Sequence, residues 1–238
     1  MSGAGLADGG TWYYLGSSGA AAKGWISDSG AMFFADRTNG AMRTGWLEDE
    51  GKTYFLKPSG KMATGWVRTD DKWYYMDGSG VLSKGWVNDN DKWFFFDQSG
   101  VMQTGWVSDG GQRYYLGTEG ARATGWNDVD GVRYYFDGEG RMTTGWQSLD
   151  NSWYYLNSDG SMATGLTDVN GVKYYLNPED GRMAADTEVT VGDTTYRADG
   201  SGALSVVMPE EASAEGTADN GDNASAPAAP VAPGESGN

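Results

Sequence analysis

The sequence predicts an all-β fold, a solenoid of about nine stacked two-stranded β-hairpin repeats of about 20 residues, followed by a disordered tail. The first reason is a fixed period, because Gly-Trp pairs recur every 20 residues with one step of 21. The second is an aromatic pair that follows each of these glycines at a nearly constant distance. The third is composition, since 38 glycines and 11 tryptophans in 238 residues suit a repeat protein better than an average globular one. The Gly-Trp pairs begin at Gly24, Gly45, Gly65, Gly85, Gly105, Gly125 and Gly145, and Gly165-Leu166 continues the series.

Each repeat has the pattern of a β-hairpin. Counted from the glycine as position 0, tryptophan falls at +1, the aromatic pair at +9 and +10, a glycine near +15 and usually methionine at +17. A turn rich in Asp, Asn and Gly separates two short runs of strand-forming residues, as between Val67 and Tyr75. Strand alternation puts +8 and +10 on one face and +9 and +11 on the other. One face is therefore free to form a core while the other lines a groove.

The repeats need one another for stability. A single hairpin is marginal in water, so each is expected to bury aromatic side chains against the next hairpin along the chain. For this reason the +1 tryptophans and the +9 aromatics are expected to be mainly structural. The end copies differ from the rest: Leu6 stands where the first tryptophan is expected, and a decayed copy covers about residues 186–205. Atypical ends are typical of capped repeat arrays.

Two domains are predicted from the change in composition. Residues 1–208 carry the repeats. Residues 209–238 contain no aromatic and no basic residue and are rich in Ala, Pro, Glu, Ser and Gly, which predicts a disordered linker or tail.

Composition argues against several functions. The formal net charge is −16, and an acidic surface repels nucleic-acid backbones and anionic lipids, so neither nucleic acid nor membrane is an expected partner. The chain has no Cys and no His, which removes thiolate chemistry, the commonest general base and the commonest zinc ligand. The acids at Asp89–Asp91 and Asp128–Asp130 lie where a hairpin turn favours Asp and Asn, so turn chemistry explains them better than a metal site. We therefore expect no enzyme activity, no cofactor and no metal.

The string from Gly145 to Gly165, Gly-Trp, a turn, Trp-Tyr-Tyr and then Gly-x-Met-x-Thr-Gly, resembles the choline-binding repeats of Gram-positive surface proteins and phage lysins. It is also similar to the glucan-binding repeats of streptococcal glucosyltransferases and the oligopeptide repeats of clostridial toxins. The resemblance extends over about 200 of the 238 residues. It implies a left-handed solenoid that holds choline between successive hairpins, between the +1 and +8 tryptophans of one and a tyrosine of the next. Three ring faces around a quaternary ammonium make a cation-π cage.

Carried over by position, the resemblance implies three cages. We assign the +10 ring of the next repeat to each cage because +10 shares the face of +8, and we expect two +17 methionines to close cages from the side. Elsewhere the +8 residue is Met, Thr, Arg or Lys, and a cation there would repel choline or stack on the +1 tryptophan. The predicted ligand-binding residues are Trp66, Trp73 and Phe95; Trp86, Trp93 and Tyr115; Trp146, Trp153 and Tyr175; with Met102 and Met162.

The resemblance favours a non-catalytic cell-wall-binding module whose partner is choline or phosphocholine on teichoic acid. Two alternatives stay open. The first is a carbohydrate-binding module for glucan, host glycan or another cell-surface polysaccharide, which Arg113, Arg133 and Lys173 favour locally. The second is a structural spacer or adhesin stalk, which would bury its rings in every copy. The start of the chain lacks the features of a secretory signal, so an extracellular or cell-surface location is implied by the resemblance alone.

Overall fold

The structure, a computed structural model, describes residues 5–8 and 10–208. The predicted tail at 209–238 lies outside the described residues. The described chain forms two compact units. One unit holds the residues up to Asp109 together with Tyr115–Arg122, and the other holds Gly110–Tyr114 and the residues from Ala123 onward.

Every regular element in the described residues is a β-strand, and the strands form nine two-stranded sheets and one three-stranded sheet. This confirms the all-β fold of hairpin repeats, with the decayed final copy forming the three-stranded sheet. The strands are β1 (Gly5–Asp8), β2 (Thr11–Tyr14), β3 (Gly24–Asp28), β4 (Ala31–Ala35), β5 (Gly45–Asp49), β6 (Lys52–Leu56), β7 (Gly65–Thr69), β8 (Lys72–Met76), β9 (Gly85–Asp89), β10 (Lys92–Phe96) and β11 (Gly105–Asp109). They continue with β12 (Gln112–Leu116), β13 (Gly125–Val129), β14 (Val132–Phe136), β15 (Gly145–Leu149), β16 (Ser152–Leu156), β17 (Gly165–Val169), β18 (Val172–Leu176), β19 (Thr187–Val191), β20 (Thr194–Ala198) and β21 (Leu204–Val206). No helix in this part of the chain is long and apolar enough to cross a membrane.

The hairpins from β3–β4 to β17–β18 turn through two residues that both have positive φ. In β9–β10, Asn90 has φ 50° and Asp91 has φ 62°, between the paired residues Asp89 and Lys92. Two left-handed residues match the right-handed twist of the strands, which is why such turns select Asn, Asp and Gly. The acids of the turns are thus explained by backbone conformation.

A glycine in this turn should stabilise the hairpin. A left-handed conformation costs a residue with a Cβ about 1–2 kcal/mol, and Gly adopts it without that cost. We expect Asp91→Gly to raise the free energy of unfolding by up to about 1 kcal/mol in a urea titration, and Asp91→Ala to lower it. A glycine variant less stable than the alanine variant would contradict this explanation.

The core is built from the +9 and +11 positions, as alternation predicts. The +11 side chains Met76, Phe96, Leu116, Phe136, Leu156 and Leu176 have no exposed surface. At +9, Tyr74, Phe94, Tyr154 and Tyr174 are 7–9% exposed. The +8 and +10 residues lie on the opposite face and, apart from Phe34, keep more exposure, so that face is the one available for ligands.

Successive hairpins are joined by one recurrent backbone hydrogen bond. The N–H at +17 donates to the carbonyl at +8 of the preceding hairpin, for example from Met62 to Met32 at 2.7 Å and from Met102 to Trp73 at 2.9 Å. Because +17 follows its own hairpin, each repeat is tied to the one before it. This bond places the +17 residue beside the +8 residue of that hairpin, where the predicted cages lie.

The glycine that recurs at +15 of the repeats is explained by packing. A Cβ built on Gly80 would lie 2.4 Å from Sδ of Met62, the +17 residue of the previous repeat. A Cβ built on Gly120 would likewise lie 2.6 Å from Sδ of Met102, and one built on Gly181 would overlap Sδ of Met162. The methionine therefore lies across the bare backbone of the glycine.

In several repeats the turn after the second strand is held by an acid at +12. Asp77 accepts hydrogen bonds from Ser79 Oγ at 2.7 Å, Ser79 N at 2.8 Å and Val81 N at 2.9 Å. Burial by itself raises the pKa of Asp77, but these hydrogen bonds outweigh it and hold the pKa below its usual range. Hydrogen bonds likewise lower the pKa of Asp36 and Asp199 at the matching turns.

Stability should therefore fall in acid. A folded-state pKa below the unfolded value, about 3.9 for Asp, means that Asp77 stabilises the fold above that pH and stops doing so as the pH falls through the lowered value. Asp77→Asn keeps an acceptor oxygen without the charge, as Asn157 and Asn177 do at the same position. We expect the urea midpoint of the wild type to fall more between pH 5 and 2 than that of Asp77→Asn. Parallel pH curves for the two proteins would contradict this assignment.

The first hairpin departs from the expected register. Leu6 was expected at +1, but it pairs with Tyr13, whereas Gly5 pairs with Tyr14. In the regular hairpins +1 pairs with +10, as Trp66 does with Tyr75. The expectation for Leu6 was therefore wrong: Gly5 holds the tryptophan position, and the first hairpin has no +1 side chain.

Candidate functional site

Two of the predicted tryptophan pairs form open corners. The ring centroids of Trp66 and Trp73 lie 5.9 Å apart with planes at 89°, and those of Trp146 and Trp153 lie 6.3 Å apart with planes at 86°. Perpendicular rings that meet edge to face leave a corner with one π-face on each wall. A cation placed in such a corner is attracted by both faces.

The +8 indoles are accessible to solvent. Trp73 is 41% exposed and Trp93 is 38% exposed, and Trp153 is half-buried. Large apolar side chains at this exposure contribute little to the core. Their partners at +1 are half-buried, because each also packs on rings within the stack.

The structure brings a different ring of the next hairpin to the +1 tryptophan than the sequence suggested. Trp66 contacts Phe94, at +9 of the next repeat, with ring centroids 4.8 Å apart, and Trp146 contacts Tyr174 at 4.7 Å. The same contact joins Trp25 with Tyr54, Trp46 with Tyr74 and Trp126 with Tyr154. Sequence reasoning placed +9 in the core and missed that it also closes the base of the tryptophan pair.

The predicted +10 rings instead face the tryptophan of their own hairpin. Phe95 pairs across the strands with Trp86 at a centroid distance of 5.0 Å, and Tyr115 lies 5.3 Å from Trp106. Tyr175 pairs with Leu166. Phe95, Tyr115 and Tyr175 thus flank the ligand face one hairpin further along, and cage membership for them stays a prediction.

The +17 residue completes each corner. Met102 donates its N–H to the carbonyl of Trp73, so its backbone lies at the Trp66–Trp73 pair, and its role in closing a cage stays a prediction. Met162 donates to Arg133, which assigns it to a hairpin without a +8 tryptophan, and Met183 donates to Trp153 at 2.8 Å. Because each +17 residue bonds to the hairpin before its own, Met183 of the following repeat, rather than Met162, stands at the Trp146–Trp153 pair.

Carboxylates at +4 of the next hairpin accept hydrogen bonds from several of these tryptophans. The indole Nε1 donates to an Asp Oδ2 at 3.0 Å, from Trp25 to Asp49, from Trp66 to Asp89 and from Trp86 to Asp109. The Tyr75 hydroxyl donates to Asp89 at 3.4 Å. Burial raises the pKa of Tyr75, and the charge of Asp89 raises it further, so the phenol stays protonated. The sequence signal for this role was an Asp repeated at +4, which we had read as turn chemistry alone.

The third predicted pair, Trp86 with Trp93, contains a cation from the chain itself. The guanidinium carbon of Arg122 lies 5.8 Å from the Trp86 ring centroid and 5.6 Å from that of Trp93. Arg122 occupies +17, where the Trp66–Trp73 pair has Met102. Its N–H donates to Trp93 at 2.8 Å, so the backbone connection is the usual one.

In three repeats without a +8 tryptophan, the +8 side chain interacts with a neighbouring side chain of the same hairpin. Arg133 lies 5.2 Å from the Trp126 ring centroid, as expected for a cation at +8, and 3.9 Å from Asp128. Lys173 lies 3.7 Å from Asp168, and the Thr53 hydroxyl donates to Glu48 at 2.6 Å. These positions contribute no open aromatic corner.

The first two hairpins enclose a cavity of about 700 Å³. Trp12, 59% exposed, lies on its wall with Tyr14, Phe33 and Met42, and the carboxylate of Asp28 lies beside them. Asp28 is the +4 residue here and has no such indole to accept from.

Two family models match the repeats of this chain. The family model of the choline-binding repeat matches residues 43–82, 83–124, 123–164 and 143–187, and a cell wall binding repeat matches residues 6–21. No curated protein matches the chain.

Among solved structures, CbpJ of Streptococcus pneumoniae is 28% identical with a TM-score of 0.62 over 85% of this chain and 94% of that chain. The choline-binding domain of CbpL of Streptococcus pneumoniae is 31% identical with a TM-score of 0.58, over 79% of this chain and 100% of that chain. The modular autolysin LytC of Streptococcus pneumoniae, solved with a synthetic peptidoglycan ligand, is 27% identical with a TM-score of 0.65 over 85% of this chain and 46% of that chain. Repeat matches over more than half of the chain and similar hairpin architecture lead to one assignment: this chain belongs to the choline-binding repeat family.

Proposed function

We propose that this chain is a non-catalytic module that binds choline groups of a cell-wall polymer, with the Trp66–Trp73 and Trp146–Trp153 pairs as its sites. The observation that carries the proposal is the perpendicular, solvent-accessible indole pair with a methionine at +17 beside it. Two π-faces attract a quaternary ammonium, and the methionine offers an apolar wall to its methyl groups. Phosphocholine-bearing teichoic acid at a bacterial cell surface would present this group many times.

The expected affinity of one site is modest. Each ring contributes roughly 0.5–2 kcal/mol, and association has its own entropic cost, so a single choline is expected to bind with a Kd on the order of millimolar. Two or more sites on one polymer raise the overall affinity by avidity, since the second contact is intramolecular. The acidic net charge of −16 favours a cationic group over an anionic one.

Tryptophan fluorescence titration with choline tests this proposal directly. The matched control is 3,3-dimethyl-1-butanol, which replaces the ammonium nitrogen by carbon and so has nearly the same shape without the charge. We expect a saturable change with choline at millimolar concentration and a far weaker one with the neutral alcohol. Equal responses to the two ligands, or no response to choline, would reject the cation-π site.

Carbohydrate binding is a second candidate, and the 700 Å³ cavity at the first hairpins favours it. An exposed Trp12 face suits stacking on a sugar ring, and the Asp28 carboxylate can accept hydroxyl hydrogen bonds. Titration with dextran in the same assay separates this candidate from choline recognition. A response to dextran that is lost in Trp12→Ala would support it. The exposed indoles weigh against a structural spacer, which would bury its rings.

A further inference from the structure

Arg122 differs from its equivalents in a way that bears on ligand binding. At +17 the chain has Met42, Met62, Leu82, Met102, Arg122, Met142, Met162 and Met183, counting the repeats with an extra residue. An apolar side chain there carries no charge, so the π-faces of the tryptophans attract it only weakly. A guanidinium in the same place carries the charge that the corner itself attracts.

The position of the Arg122 side chain is the position a ligand would take. Its guanidinium carbon lies at comparable distances from both rings, 5.8 Å from Trp86 and 5.6 Å from Trp93. Both distances fall within the range of about 6 Å for cation-π attraction. Arg68, by contrast, lies over Trp73 alone at 5.9 Å and is paired with Asp71 at 3.1 Å, so it does not span its indole pair.

A tethered cation competes with a free one for this corner. Intramolecular contacts act at an effective concentration of about millimolar or higher, similar to the Kd expected for free choline. The Arg122 charge would also repel a second cation brought beside it. Asp109 accepts the Trp86 indole N–H at 3.0 Å, so a carboxylate lies at the edge of the same ring.

We propose that Arg122 is a built-in ligand that fills the Trp86–Trp93 corner and excludes choline from it, so that +17 decides which tryptophan pairs are open sites. The inference rests on the proposed function, because it assumes that the other pairs bind choline. In this scheme a methionine at +17 opens the pair of the preceding hairpin and an arginine closes it. The number of choline groups bound per chain is then set by one residue in each repeat.

Reciprocal substitutions test the proposal by isothermal titration with choline, followed as the number of choline equivalents per chain. Arg122→Met is expected to bind one more choline than the wild type, and Trp93→Ala in the Arg122→Met background is expected to remove that gain. Met102→Arg is expected to bind one fewer than the wild type. Arg141→Met is the matched control: it removes one positive charge from a residue that pairs with Asp137 and Glu139, and it should leave the number unchanged.

Two outcomes separate this inference from the proposed function. If the wild type binds choline but Arg122→Met gains no site while circular dichroism shows it folded, Arg122 does not close the pair and the inference is overturned. If the control Arg141→Met gains a site as well, the effect is one of net charge and the inference is again overturned. If neither the wild type nor any variant binds choline, the proposed function itself fails.

Discussion

Trp153→Arg is expected to eliminate choline binding at the Trp146–Trp153 pair and leave the chain folded. This pair is the cleanest of the three, because its +3 and +17 neighbours, Ser148 and Met183, carry no charge. Removing one ring of two loses roughly 0.5–2 kcal/mol of attraction, and the introduced cation repels choline as well. Affinity at this site should therefore fall at least tenfold, seen in calorimetry as one choline equivalent fewer.

The fold is expected to tolerate this change, because Arg113 and Arg133 already occupy +8 in regular hairpins. Trp153→Phe serves as the graded control: a smaller π-face should weaken binding without removing it. The order of affinities should be Trp, then Phe, then Arg, at an unchanged urea midpoint. Unaltered choline binding in Trp153→Arg would place the ligand elsewhere.

Gly80→Ala is expected to be strongly destabilising for two separable reasons. Gly80 has φ +83°, where a Cβ costs about 1–2 kcal/mol, and that Cβ would lie 2.4 Å from Met62 Sδ. The flexible end of the Met62 side chain has to move aside for this methyl group, which costs up to about 3 kcal/mol more. The total, about 1–5 kcal/mol, should appear as a lower free energy of unfolding in urea.

Two nearby glycines separate these causes. Gly65 has φ +71° but open space around its would-be Cβ, so Gly65→Ala should lose only about 1–2 kcal/mol. Gly78 also has open space, and its φ lies outside the left-handed range, so Gly78→Ala should change stability little. If Gly80→Ala proves no worse than Gly65→Ala, the packing of methionine on glycine does not hold the hairpins together.

The sequence predicts the hairpins and their two faces well, because both follow from local rules. A period of 20 residues fixes the repeat, and alternation correctly places Tyr74 and Met76 in the core and Trp73 on the open face. The Asp-rich turns likewise follow from the backbone conformation that such turns demand.

Contacts between hairpins could not be predicted in the same way. Alternation says which side chains share a face within one hairpin, but it does not give the rotation from one hairpin to the next. That rotation brings Phe94 rather than Phe95 to Trp66. The bond from +17 to the preceding hairpin puts Met183, rather than Met162, at the last pair. The sequence shows that Arg122 stands where other repeats have methionine. It does not predict that the guanidinium lies over two indole rings, because that depends on how one hairpin packs on the next.

The central claim is that a quaternary ammonium enters the corner between perpendicular indoles of one hairpin. A crystal structure of the chain grown with saturating choline measures this directly. The account predicts choline between Trp146 and Trp153, with Met183 beside its methyl groups, and the Arg122 guanidinium still in place between Trp86 and Trp93. Density for choline away from every tryptophan pair, with the Trp146–Trp153 corner empty, would contradict it.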